Sequence, residues 1–111
     1  MKLIIAGCRD ITNENFLLEA LKNISFPITE VVSGGATGVD MLGEQWAEKN
    51  NIPIKRFPAD WQKWGKAAGP RRNRQMAEYA DALLAIWDGK SKRTKNMIEQ
   101  MKKKPVIIYK L

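Results

Sequence analysis

Histidine is absent from all 111 residues, and cysteine occurs once, at Cys8. The first absence removes the commonest general base and every imidazole-dependent triad. The second excludes an internal disulfide and any cysteine-rich zinc site. Neither a metal nor a cofactor is expected, and any catalysis must rest on Asp, Glu, Arg, Lys or hydroxyl groups. No apolar run approaches the roughly 20 residues needed to cross a bilayer. The opening Met1-Lys2-Leu3-Ile4-Ile5-Ala6-Gly7 is too short in apolar residues for a secretory signal and reads as a first buried strand. The expectation is a cytoplasmic chain with no membrane partner.

The composition is 44% hydrophobic and 28% charged, that of a globular domain, and 111 residues suit one domain spanning 1–111. Formal net charge is +7, and its placement matters more than its size. Gln62 to Lys95 holds nine Lys and Arg against three Asp and Glu, a net of +6. An excess confined in this way fits a local anion site, with a solvated basic face as the alternative.

Along the chain, apolar strand-like runs alternate with helical spacings. Lys2–Ala6 is followed by Leu17, Leu21 and Ile24 at intervals of three and four. Glu30–Ser33 precedes a helix marked by Val39, Leu42, Trp46 and Ala47, and Ile52–Phe57 forms a third strand. Pro58–Gly69 has no clear periodicity. Pro70 suits the first turn of a helix reaching about Ala80. Ala82–Trp87 is a continuous apolar run, as a strand covered on both faces requires. Thr94, Met97, Ile98 and Met101 mark a last helix, and Val106–Tyr109 a last strand. The order predicts an α/β fold: a doubly wound parallel sheet of about five strands with helices on both faces. Ligands of such sheets bind beyond the strand carboxyl ends, here the loops 7–10, 34–40, 58–73 and 88–94.

Four constellations in those loops bear chemistry, and each admits a purely structural reading. Ser33-Gly34-Gly35-Ala36-Thr37-Gly38-Val39-Asp40 joins a strand to a helix, where glycines and free amides form an anion site. It lacks both the Walker ending and the dinucleotide-fingerprint spacing, and a tight turn capped by Thr37 or Ser33 is the alternative. Gly69-Pro70-Arg71-Arg72-Asn73-Arg74 gathers cations at a helix start, where the helix dipole disfavours them unless an anion is near. Asp60, Trp61 and Trp64 suit ribose and base recognition, or else the tryptophans pin the loop to the body. Ser91 and Thr94 either contact phosphate or cap the last helix. Trp46, Trp87 and Cys8 are expected in the core.

Taken together, Gly7-Cys8-Arg9, the Ser33–Asp40 run, Phe57-Pro58-Ala59-Asp60-Trp61, Ala68-Gly69-Pro70-Arg71-Arg72-Asn73 with Met76, and Asp81 resemble the SLOG superfamily, in its small YspA-like, YpsA-related branch. The resemblance spans nearly the whole chain and implies a Rossmann-like fold binding nucleotides or nucleotide-derived ligands. On that basis Gly7, Arg9, Gly34, Gly35, Thr37, Gly38, Asp40, Asp60, Trp61, Arg72, Asn73, Ser91, Arg93 and Thr94 are the candidate ligand-binding residues. The favoured form is a sensor or sequestering protein for a ligand such as an ADP-ribose derivative.

The superfamily also contains the Lonely Guy phosphoribohydrolases and the single-stranded-DNA-binding DprA proteins, which supply the alternatives. Arg72, Met76 and Ala80-Asp81-Ala82 agree with the hydrolase pattern. Arg93 stands where that pattern has the glycine of Gly-Thr, and Lys95-Asn96 follow Thr94 where it has glutamate. The loss of that carboxylate weighs against N-glycosidic hydrolysis, with Asp40, Asp60 and Glu99 as the replacement acids to consider. Nucleic acid is the less favoured partner, and a homo-oligomer is left open.

Overall fold

In β1 (Lys2–Gly7) successive side chains point to opposite faces, and both faces are buried. Leu3 and Ile5 enter one apolar cluster, Ile4 and Ala6 the other. The same alternation splits β4 (Ala82–Trp87), with Leu84 and Ile86 on the first side and Leu83 and Ala85 on the second. This double burial is why both strands read as unbroken apolar runs. The computed structural model describes residues 1–111. In it, β2 (Glu30–Ser33), β3 (Ile54–Arg56) and β5 (Val106–Lys110) complete a five-stranded sheet in the order β3-β2-β1-β4-β5. All neighbouring strands are parallel.

Helices α1 (Glu14–Leu21) and α2 (Val39–Lys49) cover the first face through Leu17, Ala20, Leu42 and Ala47. Between β3 and β4 the chain runs through α3 (Trp61–Trp64), a 3-10 turn (Gly65–Ala67) and α4 (Ala68–Tyr79). Helices α4 and α5 (Lys92–Gln100) cover the second face through Met76, Ala77 and Met97, joined by Ala80 and Met101 just beyond their ends. The fold is therefore α/β and Rossmann-like.

Three segments differ in detail from the sequence expectation. The connection 58–69 is not irregular: Asp60 caps α3 by accepting from Lys63 N at 3.1 Å, and the 3-10 turn leads directly into α4. Helix α4 begins at Ala68, so Pro70 stands third in its first turn, where a backbone N–H still has no intrahelical acceptor. Strand β3 is shorter than 52–57, although Pro53 O and Phe57 N still bond to Val31 N and Ser33 O at 2.9 Å, continuing the ladder. Trp46 and Trp87 are half-buried rather than core residues. The Trp87 indole N–H donates to Ser91 O at 3.1 Å and fixes the loop before α5.

No helix is long and apolar enough to cross a membrane.

Candidate functional site

The chain runs outward from β1 to β2 and β3, then returns to the other side of β1 for β4 and β5. The carboxyl ends of β1 and β4 therefore diverge into connections of opposite direction, which opens a crevice. A cavity of about 180 Å³ occupies it, lined from four of the elements and loops that the sequence singles out. Gly7, Arg9, Gly34, Asp40, Arg72, Asn73, Ser91, Arg93 and Thr94 all face it.

Arg72 is its most deeply set cation, 8% exposed. From α4 its Nη1 donates to Gly34 O at 2.6 Å and its Nε to Asn73 Oδ1 at 3.0 Å. Asn73 Nδ2 in turn donates to Asn96 Oδ1 at 3.0 Å, tying α4 to α5. Arg72 makes no ion pair; the molecule's ion pairs join other residues. Its Nη2 makes no hydrogen bond, yet no sealed side-chain polar atom lacks a partner, so Nη2 keeps access to solvent, and the Arg72 side chain lines the cavity. Burial presses the guanidinium below its ordinary range; nearby Asp40 opposes this and Arg9 adds to it. A guanidinium nevertheless stays charged.

Asp40, in the first turn of α2, is 6% exposed. Burial pushes its carboxyl up to about 6, against the opposing effects of the Ala36 amide and Arg72, and Glu44 repels it further. Glu44 is itself held by Ser33 Oγ at 2.6 Å and by Arg56 Nε at 2.7 Å. Three amides at the glycine loop and the start of α2 are taken up within the protein. Gly35 N donates to Ser33 Oγ at 3.1 Å, Ala36 N to Asp40 Oδ2 at 3.3 Å, and Val39 N to Cys8 O at 3.2 Å.

Consequently the loop grips its own side chains, and Gly35, Thr37 and Gly38 do not line the cavity. Gly38, at φ 77°, serves another need: a Cβ there would stand 2.4 Å from the backbone of Cys8 and Arg9. At Gly34 a Cβ would meet Arg72 Nη1 at 2.5 Å, so glycine is what admits the buried guanidinium.

Ser91 and Thr94 line the cavity and also form the start of α5, Ser91 Oγ accepting from Thr94 N at 3.4 Å. Both sequence readings of this pair are thus compatible with its position. Arg93 lies at the rim with its guanidinium 5.2 Å from the centre of the Trp61 ring. Trp61 and Trp64 are 46% and 39% exposed, so neither is buried as an anchor. Asp60 lies outside the cavity as the α3 cap, and Glu99 lines a separate depression between α4 and α5.

Asp88 also lines the cavity, though it was not among the expected binding residues. Its Oδ1 accepts from Lys90 N at 2.8 Å and Ser91 N at 2.9 Å, which holds its carboxyl below the usual range. Its position directly after β4 was the signal available in the sequence. Cys8 is buried in the cavity wall, and burial raises its thiol. No group of three or more Cys, Asp or Glu side chains is placed to hold a metal ion.

Over 87 residues the chain is 38% identical to the Gene 61 protein of Mycobacterium phage D29, covering 71% of this chain and 70% of that protein. No solved structure gives a significant match. Residues 1–64 match the family described as "YspA, cpYpsA-related SLOG family". That stretch holds β1 to α3, with Arg9, the glycine loop and Asp40, while Arg72 and Arg93 complete the cavity from beyond it. The chain belongs to the YspA, cpYpsA-related SLOG family.

Proposed function

We propose that the cavity holds the phosphorylated end of a nucleotide or nucleotide-derived ligand, with Arg9, Arg72 and Arg93 meeting its charge. The observation that carries this reading is Arg72: a buried guanidinium without an ion pair, set in the wall of the cavity with one amino group still accessible. A charge so placed is stabilised by an anion arriving from solvent. Family membership supports the same class of ligand. The volume of about 180 Å³ falls below the roughly 300–1,000 Å³ of pockets that enclose whole drug-sized ligands. It suits a phosphate with its sugar, leaving the base at the rim where Trp61 and Arg93 offer a stacking surface. Retention without turnover, as in a sensor or sequestering protein, is favoured by Lys95-Asn96 standing after Thr94 where the hydrolase pattern has glutamate.

Asp40 does favour one second reading. Of the three replacement acids, Asp40 alone lines the cavity, so N-glycosidic hydrolysis would fall to it.

Mixing the protein with nucleoside mono- and diphosphates and ADP-ribose, then reading thermal shift and products in the same tubes, tests both. A ligand at 100 times its dissociation constant should add about 2.7 kcal/mol of stability. Stabilisation by an unaltered nucleotide, lost in Arg72→Gln, is the expected result. Released base would transfer the assignment to the hydrolase, and silence across the panel would overturn the nucleotide reading.

A further inference from the structure

Beyond the cavity, on the far side of Arg72, lies a broader groove of about 680 Å³ between α3 and α4. Arg72 lines both depressions, so they meet at its side chain. The groove carries Trp64, Lys63 and Arg71. The Arg71 guanidinium lies 3.6 Å from the centre of the Trp64 ring, and the Lys63 ammonium lies 5.0 Å from it. Neither cation makes an ion pair.

Trp61 and Trp64 are three residues apart on one helical turn and so share a side of α3. Each stands under a cation, Trp61 under Arg93 of the cavity rim and Trp64 under Arg71 of the groove. The two residues are 46% and 39% exposed, which leaves ring surface for a further stacking partner. Two partly exposed tryptophan rings, each with a cation without an ion pair over it and set on either side of one shared arginine, repeat one chemical pattern twice. The pattern is a π-face for a base and a cation for the phosphate next to it.

We infer that the Trp64 groove is a second nucleotide subsite, continuous with the cavity through Arg72, so that the molecule takes a 5′-phosphorylated dinucleotide unit with two bases joined by a phosphodiester. The terminal phosphate enters the cavity, the first base lies by Trp61, and the second lies by Trp64 with its linking phosphate between Arg71 and Arg72. The inference rests on the proposed reading of the cavity and goes beyond it by naming the ligand as one with two bases.

The test compares dAMP, the 5′-phosphorylated dinucleotide pdApdA and a 5′-phosphorylated deoxyadenosine decamer by calorimetry on the intact protein, alone and as Trp64→Ala, Trp64→Phe and Arg71→Gln. The dinucleotide should bind about tenfold or more tightly than dAMP, the gain expected of one further stacked base. Trp64→Ala should abolish that gain while leaving dAMP affinity unchanged, and Trp64→Phe should restore most of it. Arg71→Gln should reduce it in part. An unchanged thermal midpoint for Trp64→Ala excludes misfolding as the cause. Equal affinities for dAMP and pdApdA would overturn the second subsite while leaving the cavity reading intact. If neither ligand bound, the two-base reading would fall, and the cavity reading would fall with it only where nucleoside diphosphates and ADP-ribose also failed to bind. A decamer that binds far more tightly than pdApdA would also overturn the two-base limit and make the site a track for single-stranded nucleic acid.

Discussion

Asp40 and Arg72 face one cavity, and each changes what the other does there. Because burial raises the Asp40 carboxyl from 3.8 to about 6, the folded state holds that proton more tightly than the unfolded chain does. The resulting stabilisation is complete below about pH 4 and is lost as pH rises through 6. The interval corresponds to roughly 3 kcal/mol at most. Asp40→Asn keeps an acceptor for the Ala36 amide and removes the buried charge. At pH 7.5 it should raise stability by about 1–3 kcal/mol and flatten the profile between pH 4 and 6 in urea unfolding. An unchanged midpoint at pH 7.5 would show that Arg72 already neutralises Asp40 in the free protein. A bound phosphate would repel the Asp40 carboxylate further, so nucleotide affinity should fall as pH rises from 6 to 8, and Asp40→Asn should remove that dependence. Gly34→Ala tests the opposite partner, since its Cβ would stand 2.5 Å from Arg72 Nη1. Displacing the guanidinium should cost about 1–3 kcal/mol of stability, seen in denaturant, and lower nucleotide affinity in the same preparation.

Helix α4 depends on a partner remote in sequence. Its last turn leaves carbonyls without intrahelical donors, and Lys104 Nζ bonds three oxygens there: Ala77 O at 2.7 Å, Glu78 O at 3.3 Å and Ala80 O at 2.6 Å. The ammonium also sits at the negative end of the helix dipole. Lys104→Met keeps the aliphatic stem and should lose about 1–2 kcal/mol in urea unfolding. A loss no larger than that of the exposed control Lys102→Met would show the cap to be dispensable. This contact was illegible in the sequence, because a lysine in a run of three carries no mark of what it touches. Strands β1 and β4 were legible for the contrary reason: a strand buried on both faces must be apolar throughout, whatever lies beside it. Helix α3 was not, since four residues are too few to show a helical period. At the site, loop positions followed from strand order, but the role of each arginine did not. Arg71, Arg72 and Arg74 look alike in the chain. Only the packing of α4 beneath Gly34 turns Arg72 inward, leaving Arg71 on Trp64 and Arg74 paired to Glu78. The self-bonded glycine loop was hidden too, because Ser33, Asp40 and Glu44 meet only once β2 and α2 are packed.

Across the whole molecule, charge is as unevenly spread as it is along the chain. The +6 of residues 62–95 falls mainly on α3, α4 and the loop and helix after β4, which enclose the cavity and the groove. The molecule measures 36 × 26 × 26 Å, several times the Debye length of about 8 Å at physiological ionic strength. Surface cations distant from the cavity are therefore screened from a bound ligand, although at low salt they still attract an approaching anion. Arg72 lies deep enough to be screened far less. Salt should accordingly act on approach and not on retention. Stopped-flow fluorescence of the exposed tryptophans with a nucleoside diphosphate should show the association rate falling roughly tenfold or more between 0.02 and 0.5 M NaCl, with dissociation changing little. Equal slowing of association and acceleration of dissociation would mean that the ligand sits on the screened surface instead of against Arg72. An association rate indifferent to salt would mean that the basic face is a solvated surface with no part in capture.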